Sequence, residues 1–81
     1  MPYIDPDSRE RLSYNSLDVR ITGELNYVLT KVCLNYTNKK GLSYRSINDV
    51  LGALEGVKQE YYRRVAIPYE EQKMKDNGDV Y

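Results

Sequence analysis

Apolar residues recur at steps of three and four between Ser43 and about Lys75: Ile47, Val50, Leu51, Leu54, Val57, Tyr61 and Val65. That spacing keeps them on one side of a 3.6-residue helix and predicts a helix over 43–67. Pro68 lacks an amide donor and clashes with the turn before it, so the helix is expected to kink or stop near Ala66. A short helix over 69–76 then restarts, since acidic residues follow the proline. A second stripe, Leu25, Val28, Leu29, Val32 and Tyr36, predicts a helix over 22–39. Thr22 is an acceptable N-cap, and Glu24 complements the helix dipole in the first turn. Lys39 and Lys40 suit the C-terminal end, Gly41 supplies a left-handed stop, and Ser43 caps the next helix. Lys39-Lys40-Gly41-Leu42-Ser43 therefore reads as a tight connection between antiparallel helices.

Outside these helices the pattern is weaker. Residues 1–21 read as an extended arm with a short turn. Asp5-Pro6 caps that turn through Arg11, because proline suits a first helical position, and Tyr3, Ile4 and Leu12 latch the arm onto a neighbour. Leu17, Val19 and Ile21 alternate with Asp18 and Arg20 as in a strand, but one short strand without a partner is not viable. This stretch is either an extended lead-in or the first turn of the next helix, with an intermolecular strand pair as a third option. Asn77-Gly78-Asp79 ends the last helix, and residues 77–81 form a tail whose Val80-Tyr81 end is expected to dock.

The fold class is thus all-α: one helical domain, a hairpin with a long, Pro-kinked C-terminal helix. Two such helices bury limited area, and a core of this size rarely supplies more than a few kcal/mol. Cys33 is the lone cysteine, so no internal disulfide helps. Self-association is the ordinary route that remains, and a homo-oligomer is predicted. At 1.5 Å per residue the second helix is about 35 Å long and outruns its hairpin partner, so Val57, Tyr61 and Val65 need another chain. Gly52 and Gly56, one turn apart, point either to close packing on the first helix or to a subunit contact. Glu55 with Lys58, Glu60 with Arg63 and Arg64, and Glu71 with Lys75 sit at helical pairing distance and mark a solvated face.

Composition narrows the function. Twelve basic residues balance twelve acidic ones, so no global field draws in DNA, RNA or an anionic membrane. No apolar run nears the about 20 residues of a membrane helix. The N-terminus lacks the basic and apolar regions of a signal peptide, so a cytoplasmic location is expected. The 81 residues include no histidine, which removes the commonest general base and the commonest metal ligand. One cysteine and no histidine leave too few ligands for structural zinc and no Ser-His-Asp or Cys-His arrangement. Neither an enzyme nor a bound cofactor or metal is expected. All nine aromatic residues are tyrosines, which suit half-wet interfaces better than a dry core.

Two clusters carry candidate chemistry. On the first helix Asn26, Thr30, Cys33 and Thr37 fall on one line, with Tyr27 and Lys31 beside them. Neutral hydrogen bonders, a tyrosine face and a lysine suit a ligand with a planar base and a phosphate. The blander alternative is a boundary stripe between core and solvent. On the second helix Lys58, Tyr62 and Tyr69 stand near Arg63 and Arg64. Aromatic and cationic groups at one locus suit a planar anion such as a nucleotide. The alternative is Arg and Lys stems covering apolar surface around half-buried tyrosines at a subunit contact. The ligand-binding candidates are Asn26, Tyr27, Thr30, Lys31, Lys58, Tyr62, Arg63 and Tyr69.

Several segments carry a family resemblance: Met1-Pro2-Tyr3-Ile4, Glu24-Leu25-Asn26-Tyr27-Val28-Leu29-Thr30, Tyr61-Tyr62-Arg63-Arg64-Val65 with Pro68-Tyr69-Glu70, and Asn77-Gly78-Asp79-Val80-Tyr81. Over most of its length the chain resembles a family of small proteins from tailed bacteriophages and bacterial genomes, catalogued as a domain of unknown function. The resemblance implies a phage setting, and with it a compact oligomer that sequesters a nucleotide signal of bacterial immunity in pockets between subunits. Such a sponge needs no catalytic base. A protein-protein interaction module, a phage accessory protein binding a host factor, is the alternative.

Overall fold

Gly41, Leu42 and Ser43 reverse the chain, and the rest of the architecture is arranged on either side of them. The computed structural model describes residues 5–11 and 18–81. It contains α1 (Pro6–Arg11), α2 (Thr22–Lys40), α3 (Tyr44–Tyr61), a five-residue π-turn (Tyr62–Ala66) and α4 (Ile67–Asn77). Among the described residues every regular element is helical, so the all-α expectation holds. The expected latch through Tyr3, Ile4 and Leu12 lies outside the described residues, as do Ser16 and Leu17 of the alternating stretch.

The turn is held by a reciprocal set of serine bonds. Gly41 takes φ +86°, and its N–H donates to the Thr37 carbonyl at 2.8 Å, which ends α2 one residue beyond the expected boundary. The Ser46 N–H donates to Ser43 Oγ at 3.1 Å, while the Ser43 N–H donates to Ser46 Oγ at 3.0 Å, a capping box built from two serines. Ser46 Oγ also donates to the Gly41 carbonyl at 2.8 Å. Ser46, only 3% exposed, is the most covered side chain described. At the other end of α2, Thr22 is not the cap. Ile21 holds that position in an extended conformation, without a side-chain hydrogen bond. Glu24 compensates by reaching back to accept the Arg20 N–H at 2.9 Å. In the arm, Asp5 caps α1 by accepting the Ser8 N–H at 3.2 Å.

Pro68 does not stop the helix. The backbone widens over Tyr62–Ala66, and the Ile67 N–H reaches back five residues to the Tyr62 carbonyl. Pro68 then sits in the first turn of α4, where its missing N–H is least damaging. The shift of register falls where the chain has no donor to lose, so Tyr44–Asn77 runs as one long helix instead of breaking near Ala66. The molecule spans 50 Å along its longest axis. At 1.5 Å per residue α2 is about 28 Å long, so everything beyond Tyr61 has no hairpin partner.

Contact between α2 and α3 is therefore the main tertiary packing. One side-chain hydrogen bond ties the two helices among the described residues: Tyr36 Oη donates to Asp49 Oδ2 at 2.9 Å. No apolar side chain among the described residues is buried. Val57, Tyr61 and Val65 remain 60%, 64% and 48% exposed, which leaves unhidden the flank that the sequence pattern marked. The glycines do not bring the helices together. A Cβ placed on Gly52 or Gly56 would meet nothing within 4 Å, so close packing on α2 is not their role in this chain. Of the expected surface pairs, Glu60 binds Arg63 and Arg64, whereas Glu55 accepts from Gln59 instead of pairing with Lys58.

Three outcomes follow from this geometry. Ser46→Ala removes the centre of the turn and is expected to lower stability by about 1 kcal/mol in denaturant unfolding. Gly52→Ala and Gly56→Ala fill empty space on a helix and are expected to raise stability by about 0.5–1 kcal/mol each. The Tyr36 phenol titrates above free tyrosine, first through its bond to Asp49, then through partial burial and the Asp49 charge. A folded-state pKa raised in this way contributes stability in full below the ordinary tyrosine range, and that contribution is lost as pH rises through the folded value. Alkaline absorbance titration is expected to show a late-ionising tyrosine that disappears in both Tyr36→Phe and Asp49→Asn.

Candidate binding site

Three of the candidate residues meet where α3 passes into the π-turn. Lys58 in the last turn of α3 and Tyr62 at the start of the π-turn are four residues apart, Arg63 follows, and all three line an open groove with Glu55, Gln59, Glu60 and Ile67. Widened turns of this kind recur at functional sites. Glu60 organises the charge there. It accepts from Arg63 Nη2 and, at 2.7 Å, from Arg64 Nε. The bonds from Arg63 and Arg64 hold its carboxyl below the usual carboxylate range. Two guanidiniums share one carboxylate, so the trio keeps one net positive charge. Lys58 makes no ion pair among the described residues. An incoming anion would meet Lys58 directly and would have to displace Glu60 from Arg63, while the half-exposed Tyr62 offers a ring face for stacking.

The α2 candidates stand apart from this groove. Thr30 Oγ1 donates to the Asn26 carbonyl at 2.8 Å and also lies 3.3 Å from Asn26 Oδ1. Thr37 Oγ1 likewise donates to the Cys33 carbonyl at 3.1 Å. These hydroxyls spend their donors on their own helix, as threonines in helices commonly do. Tyr27 lines a separate shallow groove with Asp18, Val19, Ile21, Gly23, Glu24 and Val28. Lys31 Nζ lies over the Tyr27 ring, 5.5 Å from its centre. Tyr69 is not in the Lys58–Tyr62–Arg63 groove and carries Lys73 over its ring at 5.4 Å. One chain thus brings together Lys58, Tyr62 and Arg63, keeps Asn26, Tyr27, Thr30 and Lys31 on α2, and leaves Tyr69 farther along the long helix.

Two features went unremarked at the level of sequence. Tyr36 repeats the tyrosine–lysine stacking with Lys40 at 5.9 Å. The signal was a lysine four residues after a tyrosine at 27, 36 and 69, worth about 0.5–1 kcal/mol at each exposed site. The second feature is an apolar groove of about 320 Å³ between the hairpin helices. Leu29, Val32, Cys33 and Tyr36 form its α2 wall, and Val50, Ala53, Leu54 and Val57 its α3 wall. These stripes face each other across the groove, yet no apolar side chain of either is buried among the described residues. Among the described residues no three metal-ligating side chains gather, and no helix is long and apolar enough to cross a membrane.

In comparison with known proteins, a family model matches residues 1–80. Nothing among curated proteins or solved structures matches the chain. The chain belongs to the family described as a domain of unknown function, DUF6899.

Proposed function

We propose that this chain is a non-catalytic binding protein that works as a homo-oligomer in the cytoplasm, and that its ligand is a planar anion of the nucleotide type held near the seam between copies. The supporting observation is the π-turn groove, where Lys58, Tyr62 and Arg63 converge beside an apolar flank with no partner. Stacking on Tyr62 and charge from Lys58 and Arg63 supply the two things such a ligand needs. The separate cluster of Asn26, Tyr27, Thr30 and Lys31 joins the same pocket only if a neighbouring copy brings its α2 alongside. In the phage setting implied by the family resemblance, the cargo is a nucleotide signal of bacterial immunity, and binding removes it from circulation. The absence of histidine fits a task with no proton transfer.

A second reading, a module that binds a host protein, is favoured by Glu60. It already occupies the guanidiniums that an anion would use.

Incubation with cyclic dinucleotides and ADP-ribose derivatives, followed by heat denaturation and chromatography of the supernatant, tests the leading reading. The expected result is recovery of one nucleotide and a rise in melting temperature in its presence. Tyr62→Ala and Arg63→Ala are each expected to weaken that binding by about tenfold or more. A flat melting temperature with every nucleotide would discard the reading and leave the protein-binding module in its place.

A further inference from the structure

The groove between α2 and α3 is lined almost wholly by apolar side chains that nothing in the hairpin covers. We propose that it seats the same groove of a second copy, so that two hairpins close face to face into a four-helix bundle. The proposal rests on the homo-oligomeric reading above and names the surface that makes it. Both walls are apolar: Leu29 and Val32 on one side, Val50, Leu54 and Val57 on the other. Asp49 is the one charged group in the lining, and it is engaged by the Tyr36 hydroxyl at one end.

Area makes the case quantitative. A compact chain of 9.5 kDa exposes about 5,000 Å², whereas this one exposes 7692 Å². The excess, about 2,600 Å² summed over the whole chain and not the groove alone, exceeds the roughly 800 Å² per partner that a stable interface removes from water. A helical pair that hides none of its described apolar side chains needs its covering surface whenever it is folded. A second copy is a partner present wherever the chain is. Balanced charge means that two copies do not repel. An isologous contact lets each groove wall meet its own kind across a two-fold axis, the ordinary way two antiparallel hairpins make a bundle. Because α2 ends opposite the last turns of α3, the π-turn and α4 project beyond such a bundle, and the Lys58–Tyr62–Arg63 groove stays open to a ligand.

Cys33 lies in the groove and is the chain's single thiol, so it reports on the seam. The test combines light scattering with the rate of Cys33 alkylation by a maleimide on the full chain over a dilution series. The proposal expects a mass that is an even multiple of the chain's, and alkylation that slows as protein concentration rises. Leu54→Glu and Val32→Glu place a carboxylate in the seam and are expected to raise the dissociation constant at least about a hundredfold. Leu34→Glu, on the outer face of α2, is expected to leave the assembly intact. If a seam variant unfolds, the dilution series on the unaltered chain still decides. An oligomer whose Cys33 reacts fast at every concentration overturns the placement of the seam and leaves the binding function standing. A monomer at every concentration overturns both, whether Cys33 is open or is covered by the chain's own arm.

Discussion

Two helices in antiparallel contact hide only the strip that each shows the other. An amphipathic helix in a globular protein presents an apolar arc wider than that strip, and the remainder must face a third layer. In this chain α2 and α3 both carry wide arcs, and no third layer covers them among the described residues. The consequence runs through the whole structure. The best-covered side chain is a serine in a turn, and the apolar residues line an open groove in place of a core. Polar and local interactions hold the hairpin together: the Ser43–Ser46 box, the Gly41 stop and the Tyr36–Asp49 bond.

The same economy shapes the long helix. A proline in the interior of a helix costs a hydrogen bond and meets a carbonyl four residues back. Widening the backbone over Tyr62–Ala66 passes that point without a break and changes the direction of the side chains around it. Lys58 and Tyr62, four residues apart, share a helix face in any case, and with Arg63 they line one groove where the widened stretch begins.

Charge at that site is divided and not simply positive. Glu60 holds two guanidiniums, so an anion entering the groove would first have to compete with that carboxylate. The aromatic faces follow the same logic, because lysines four residues on shield Tyr27, Tyr36 and Tyr69, while no such partner lies over Tyr62 among the described residues. Of the candidate tyrosines Tyr27, Tyr62 and Tyr69, Tyr62 is the one with no lysine over its ring among the described residues.

Helix identity was legible in the residues themselves, because a repeat of three and four, a glycine after two lysines and a serine before the next stripe are local signals read within a few positions. The unhidden flank at Val57, Tyr61 and Val65 was legible for a related reason, since length alone shows that one helix outruns the other. Three things waited for the tertiary structure. The fate of Pro68 depended on whether the backbone could shift register, which pattern does not encode. The empty space around Gly52 and Gly56 depended on how far α2 stands from α3. The parting of Tyr69 from Lys58, Tyr62 and Arg63 depended on where each side chain falls around the long helix. Periodicity says which side of a helix a residue occupies, and only packing decides what stands opposite that side.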